Sequence, residues 1–322
     1  MGEASTFRTA CGPVRLVRSI LFRTLCFAAA ALPLAAIAQP RYAWELWGSE
    51  LKVETGTFSS SATSIGASYY FDRVEDGSEP YALSEFFDPT TRLSATGSHP
   101  SAGANPFDPD TWSLSGRYLL PGSVWYVGSQ YSRDDFSRFD AEGDGYGLSL
   151  GRYLGPRTTL ELAVDKANFQ YVQDTWLCPP PTCDARRVEF TTETDITSLS
   201  FVHVRDFRGL TYTLSGRLSQ EQGHTVWTDT TSVPNVDIAD STGERFHRYS
   251  LETALYPTQK LGVHLGYQTI SAEGYDGGYS LGARWFFSRN VAFELSLLRE
   301  ERDAPPDFDI VDTRAFRITG RF

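Results

Sequence analysis

Apolar and polar residues alternate along most of the chain beyond about residue 40. The stretch 260–268 shows the pattern: its apolar positions are Leu261, Val263, Leu265 and Tyr267, and Gly or His stands between them. A repeat of two residues is typical of a strand with one apolar and one polar face, because successive side chains of a strand point in opposite directions. The pattern therefore predicts an all-β fold.

The alternation divides into fourteen predicted strands. They lie at 43–57, 61–73, 88–98, 110–120, 123–135, 143–154, 157–173, 189–205, 208–222, 245–256, 259–272, 275–287, 290–302 and 310–322. Twelve or sixteen strands remain open, because the pattern is weakest over 74–92 and because 189–205 is long enough to hide a further hairpin.

The predicted connections tend to alternate between short and long. Tight turns stand at 121–122, 155–156, 206–207, 257–258 and 288–289, whereas longer loops stand at 99–109, 136–142, 174–188, 223–244 and 303–309. The exceptions are 74–87, 58–60 and 273–274. Short turns at one end and longer loops at the other are typical of a transmembrane antiparallel up-and-down β-barrel. A soluble β-sandwich is the alternative, but it has no reason to sort its connections in this way.

The first 38 residues have a different character. Four Arg precede an apolar run from Cys26 to Ala38, which ends in a small-x-small triplet at 36–38. This order predicts a cleaved secretory signal peptide over 1–38 and a single barrel domain over 39–322. The run is shorter than the roughly 20 residues that a membrane helix needs. A buried N-terminal helix is the alternative.

Composition and charge exclude several classes of protein. The chain has a net charge of −11, which becomes −14 without residues 1–38 and their four Arg and one Glu. Nucleic acid is therefore not an expected partner, because its phosphates need Lys and Arg. The sequence shows no glycine-rich phosphate loop, EF-hand or dinucleotide fingerprint, so no cofactor is expected. Beyond residue 38 no apolar run is long enough for a membrane helix, which leaves a soluble protein or a closed barrel.

Taken together, these features resemble bacterial outer-membrane β-barrel proteins. The resemblance rests on the leader, on strands whose apolar faces end in aromatic residues, and on a last strand that alternates up to a terminal Phe322. It implies a Gram-negative outer membrane, with its lipid and lipopolysaccharide as surroundings. It also implies that Phe316, Ile318 and Phe322 form the signal read by the barrel-assembly machinery. The stretch 79–87 is similar to a segment near the start of proteobacterial porins.

Charged residues on the polar faces predict a wet interior. The alternation assigns eight of them to the lining of a pore: Arg117, Glu161, Asp165, Arg217, Glu252, Arg284, Glu294 and Arg317. Glu300 and Arg321 follow the same pattern. An Arg or Lys facing lipid at mid-depth costs roughly 2–4 kcal/mol, which favours the inward placement. Acidic and basic groups on opposite walls would create a transverse field that selects solutes by charge. An ion-pair network that merely fills a narrow barrel is the alternative.

The predicted width favours transport. A barrel of fourteen strands is wider than side chains alone can fill, which favours a channel for passive diffusion of small hydrophilic solutes. One alternative is a structural or ligand-binding barrel that acts through its loops 174–188 and 223–244. Another is a lipid-modifying enzyme at the rim, with His224 beside Thr225 or Ser219. No fuller catalytic triad can be assembled, so no enzyme is expected.

Cys178 and Cys183 are the two cysteines beyond the leader. They stand close together in the predicted loop 174–188, and an exported protein meets an oxidising compartment, so a disulfide is predicted. Zinc binding is the alternative, but no His or third Cys lies near them in the sequence.

Overall fold

The computed structural model describes residues 41–56, 58–75, 77–101, 109–136, 140–177, 184–229, 236–271, 275–302 and 310–322. Within these ranges the chain forms fourteen strands. They are β1 (Arg41–Thr55), β2 (Phe58–Glu75), β3 (Arg92–Pro100), β4 (Asp110–Leu119), β5 (Trp125–Asp135), β6 (Asp140–Gly155), β7 (Thr158–Leu177), β8 (Asp184–Phe207), β9 (Leu210–Asp229), β10 (Val236–Thr258), β11 (Leu261–Ile270), β12 (Tyr275–Ser288), β13 (Val291–Arg302) and β14 (Ile310–Arg321).

Two short helical pieces interrupt this all-strand order. A 3₁₀ turn, Tyr81–Leu83, and a helix, α1 (Ser84–Phe87), lie between β2 and β3. Among the residues that the structure describes, no helix is long and apolar enough to cross a membrane.

The strands close into a single antiparallel barrel. Each strand pairs with its neighbours in the sequence, and β14 pairs with β1 from Glu45↔Arg321 to Thr55↔Val311. Phe322 completes this seam, because its N–H donates to the carbonyl oxygen of Trp44 at 2.9 Å and its own carbonyl accepts from Ala43 and Trp44. Closure pairs the edge strands with each other. The prediction of a fourteen-stranded up-and-down β-barrel is confirmed.

Large apolar side chains cover the outer face of the barrel. Leu148, Leu162, Leu251 and Leu295 are each more than half exposed, and they lie on β6, β7, β10 and β13. A water-soluble protein rarely leaves so much contiguous apolar surface uncovered. Lipid contact is the environment that such a face requires.

Aromatic residues border this apolar band at two levels. On β4, Trp112 and Tyr118 stand on the outer face with Leu114 between them. The Trp112 ring lies 5.2 Å from Tyr131 on β5, and at the other level the Trp44 ring lies 4.8 Å from Tyr69 on β2. Two aromatic girdles around an aliphatic band are typical of outer-membrane barrels, because amphipathic rings favour the membrane interface.

The barrel wall is much taller on one side than on the other. β7, β8, β9 and β10 contain 20, 24, 20 and 23 residues, whereas β3, β4 and β11 contain 9, 10 and 10. The loops predicted at 174–188 and 223–244 are therefore mostly wrong. Beyond the membrane both faces of a strand meet water, so the apolar half of the alternation disappears while backbone pairing continues.

Candidate functional site

Small polar residues line much of the inner face of the barrel. Ser64 and Ser68 on β2 face inward and bond to Ser98 and Ser94 on β3, with oxygen–oxygen distances of 3.0 and 2.8 Å. Short side chains extend little from the wall. The interior between the two girdles is therefore polar and keeps free space.

One part of this space is a polar cavity of about 270 Å³. Residues of β3 to β9 line it, and its charged residues are Arg92, Arg117, Glu161, Asp165 and Arg217. Four of these five are among the positions that the alternation assigned to a pore lining. A volume of this size accommodates a small hydrophilic molecule.

The remaining predicted lining residues lie on the same inner face. Glu252 borders a second cavity next to Arg217. Arg284 on β12 and Glu294 on β13 approach to 3.9 Å, and Arg317 on β14 lies 3.9 Å from Glu45 on β1.

Acidic and basic groups are interleaved around the ring and do not occupy opposite walls. Asp165 on β7 approaches Arg217 on β9 to 3.9 Å. The two ion pairs described above, Arg284–Glu294 and Arg317–Glu45, join neighbouring strands. The expected transverse field between two walls is therefore wrong. Opposite charges come from neighbouring or next-neighbouring strands, because each inward charge is stabilised most by a partner within a few ångströms.

Glycine lets a large side chain lie flat against the wall. A Cβ at Gly66 would stand 2.3 Å from the Trp47 ring, so this ring occupies the place of the missing side chain. The guanidinium group of Arg317 in turn lies 4.3 Å from the centre of the Trp47 ring. Arg317, Trp47 and Gly66 are therefore stacked on one another across β14, β1 and β2.

One end of the barrel is crossed by the connection between β2 and β3. We call residues 77–91 the mouth segment, and the end that they occupy, where β1 begins and β14 ends, the terminal end. In the ring of strands, β4–β6 lie across from β11–β13. The mouth segment contacts both groups, because Glu85 binds Arg117 on β4 and Tyr81 packs against Phe286 on β12. It therefore spans the opening.

Tyr81 anchors the mouth segment on the β10–β14 side. Its side chain is 4% exposed and forms a buried cluster with Phe286 and Ala292. Its N–H donates to the carbonyl of Gln259 at 2.9 Å, and its hydroxyl accepts from Arg289 Nε at 3.2 Å. The turn is thus held by packing as well as by hydrogen bonds.

Arg321 joins this anchor to the closing seam of the barrel. Its Nη1 donates to the carbonyl of Tyr81 at 2.7 Å, and its Nε donates to Glu45 Oε2 at 3.0 Å. Arg321 is only 3% exposed, and Glu45 is 9% exposed. A buried charge needs such partners, because removal from water is otherwise costly.

Glu85 anchors the mouth segment on the opposite side. Arg92 Nη1 donates to both carboxylate oxygens at 2.8 and 2.9 Å, and Arg117 Nη2 donates to Oε1 at 2.6 Å. Tyr70 donates to Oε2 at 3.1 Å. One carboxylate therefore receives hydrogen bonds from two guanidinium groups and a phenol, and both arginines border the cavity.

A family model described as putative general bacterial porin matches residues 18–315. The chain belongs to this porin family. Membership places it in the Gram-negative outer membrane and agrees with the closed barrel, its girdles and its polar interior. No curated protein matches the chain.

Solved structures share the barrel at low sequence identity. Acinetobacter baumannii outer membrane protein Omp33 aligns with a TM-score of 0.58 and 16% identity over 88% of this chain and 100% of its own. The Ralstonia pickettii toluene transporter TbuX aligns with a TM-score of 0.54 and 11% identity over 90% of this chain and 92% of its own. At these identities the likeness supports the fold.

Two other predicted sites have different outcomes. Cys178 and Cys183 lie outside the described residues, and their disulfide stays a prediction. The strand β9 runs through Ser219, His224 and Thr225 with regular pairing to β8. His224 therefore faces away from both hydroxyl groups, because alternate positions of a strand point to opposite sides. The proposed nucleophile and base at the rim are not brought together.

Several residues of the interior were not among those predicted from the sequence. Arg92 and Glu45 do follow the alternation, so the same pattern would have found them. Tyr81 and Glu85 lie in the mouth segment, where periodicity gives no guidance. The available signal was the unusual length of the connection 74–87 among short turns, together with its aromatic residues.

Proposed function

We propose that this porin-family barrel is an outer-membrane channel for passive diffusion of small hydrophilic solutes. The observation that carries the proposal is the inner face, where small polar residues and interleaved charges surround polar cavities. TbuX is described as a toluene transporter, but a hydrocarbon gains little from a wall of Ser and ion pairs. Polar solutes, by contrast, can exchange hydration for contacts with such a wall.

The mouth segment would be the narrowest part of this path. Short turns of outer-membrane barrels face the periplasm, so the terminal end is assigned to the periplasmic side. A solute entering from the outside would cross the polar interior and then meet Tyr81 and Glu85. The two anchors lie on opposite sides of the ring, so permeation requires passage beside the segment or its displacement.

Planar-bilayer recording of the purified barrel tests the channel. We expect stepwise currents in potassium chloride from the wild-type protein. A variant with residues 78–88 replaced by a short Gly-Ser linker should give larger steps, because it retains the barrel without the crossing segment. Heat-modifiability on a gel shows that each protein is folded. A folded wild-type and a folded linker variant that are both electrically silent would refute the channel.

A second function is favoured by the tall wall. β7–β10 extend well beyond the short strands of the opposite side, and this exposed sheet offers a surface for an external ligand or partner. Trimming the tips of the β7–β8 and β9–β10 hairpins separates the two functions. A channel should keep its conductance after this change, whereas a barrel that acts through its outer surface should lose binding to cells or ligands.

A further inference from the structure

The contacts of Glu85 have the geometry of a carboxylate-binding site. Arg92 holds both oxygens, Arg117 holds one of them, and Tyr70 donates to the other. Guanidinium groups offer several charged N–H donors, which is why Arg is used for carboxylate recognition. Arg92 Nη1 bridges the two oxygens, and Arg117 Nη2 binds one of them. Here the carboxylate that fills the site belongs to the chain itself.

The two arginines remain accessible from the interior. Arg92 and Arg117 line the cavity of about 270 Å³. Their side chains keep 33% and 21% of their surface exposed while they bind Glu85. A solute in the cavity can therefore approach the same guanidinium groups from the lumen.

The residues that line the cavity carry one more positive than negative charge. Three Arg border it, Arg92, Arg117 and Arg217, and the lining carboxylates are Glu161 and Asp165. Asp165 accepts from Gln130 at 2.7 Å, and Glu161 is hydrogen-bonded to Tyr126. With Glu85 in place the charges are equal, and without it the cavity carries one excess positive charge. A monoanion restores the balance.

Glu85 and the two arginines that bind it lie on different elements of the fold. Arg92 and Arg117 are held in the ladder of β3 and β4. Glu85 belongs to the four-residue helix α1 within the mouth segment, which is outside that ladder. Movement of Glu85 out of the site therefore breaks no strand pairing.

We propose that Arg92 and Arg117 form a subsite for the carboxylate of a small monoanionic solute, and that Glu85 is a tethered competitor for it. The proposal deepens the channel function and rests on it for the arrival of the solute. Binding of the solute releases one of the two anchors of the mouth segment, so the permeating molecule itself loosens the constriction.

Acetate is the probe for the test, with ligand-detected NMR on the detergent-solubilised barrel as the readout. In Glu85→Gln the tethered competitor is gone, and we expect the apparent dissociation constant of acetate to fall by about tenfold or more, because a tethered group competes at high effective concentration. Adding Arg117→Gln to this variant should abolish the gain. If Glu85→Gln folds poorly, Glu85→Ser serves in its place.

Glu161→Gln is the matched control. It removes one negative charge from the lining of the cavity that the two arginines border, but it leaves Glu85 bound to them. Equal gains in acetate binding for Glu85→Gln and Glu161→Gln would show that any lost negative charge has this effect, and they would overturn the subsite. Phosphate bound as well as acetate by Glu85→Gln would overturn the carboxylate assignment.

Bilayer currents on the same proteins keep this inference separate from the channel function. If Glu85→Gln strengthens acetate binding and Arg117→Gln abolishes the gain, but no barrel gives current, the channel is refuted and the subsite is retained. Currents in all variants, with acetate binding unchanged by Glu85→Gln, would retain the channel and refute the subsite.

Discussion

Removal of the Tyr81 ring should release the mouth segment without opening the barrel wall. The ring is 4% exposed, lies 5.7 Å from the Phe286 ring and has the Arg289 guanidinium 5.9 Å from its centre. Truncation of a large buried aromatic side chain to Ala costs about 3–5 kcal/mol. The lower end applies here, since the segment borders a wet lumen. About 3 kcal/mol corresponds to an increase of roughly 100-fold in the undocked population of the segment.

A graded pair of variants makes this reasoning quantitative. Tyr81→Phe keeps the ring and loses only the hydrogen bond from Arg289, which is worth about 1 kcal/mol and raises the undocked population roughly fivefold. Single-channel recording gives the fraction of time in the high-conductance state for wild type, Tyr81→Phe and Tyr81→Ala. We expect the fraction to rise in that order.

Tyr118→Ala is the control for the loss of a tyrosine ring. Tyr118 is 49% exposed on the outer face, so its removal should leave the high-conductance fraction unchanged. Heat-modifiability verifies that all barrels are folded. Indistinguishable traces from wild type and folded Tyr81→Ala would show that the mouth segment is not held by this ring, and the reasoning would fail.

Three further predictions concern assembly, the closing seam and the width of the lumen. Deletion of Phe322 should impair assembly and so lower the amount of protein in the outer membrane, as measured by fractionation and surface labelling. Normal amounts would refute the role of Phe322 as an assembly signal. Arg321→Met should destabilise the barrel by about 2–3 kcal/mol in urea unfolding, because the buried Glu45 carboxylate loses its charge-assisted hydrogen bond and keeps only Arg317 at 3.9 Å. Arg314→Met at an exposed pair should cost about 1 kcal/mol or less, and similar losses for both would contradict this. Gly66→Val should displace the Trp47 ring into the lumen and reduce conductance. Gly97→Val is the control, because a Cβ at Gly97 meets open space, and it should leave conductance unchanged. Equal conductance of the two variants would show that the Trp47 ring packs elsewhere on the wall.

The fold was predictable because lipid and lumen act on every strand in the same way. Between the girdles, each outward residue faces hydrocarbon and each inward residue faces water, so a repeat of two is imposed on all fourteen strands. The same constraint assigned Arg117 and Glu294 to the interior without any knowledge of their neighbours. Beyond the membrane the constraint ends, and the upper parts of β7–β10 were read as loops although they are paired strands.

The interior was predictable in composition but not in arrangement. Alternation decides which face a charge occupies, yet it says nothing about which charge on another strand lies beside it. The register between strands brings Asp165 within reach of Arg217, and it is set by pairings that the sequence of one strand does not contain. For this reason, the expectation of opposite acidic and basic walls was replaced by interleaved pairs.

The sequence by itself determined the barrel and the side of the wall on which each residue stands, because these depend on a local contrast between lipid and water. It favoured fourteen strands but left twelve or sixteen open, and the closed ring decided the number. The tertiary structure alone decided that 77–91 crosses the terminal end. This segment has no periodic contrast, and its position depends on partners far away in the chain, such as Arg321 at Tyr81 and Arg117 at Glu85. Closing the ring brings those partners to one opening, and only then does the connection between β2 and β3 become a constriction.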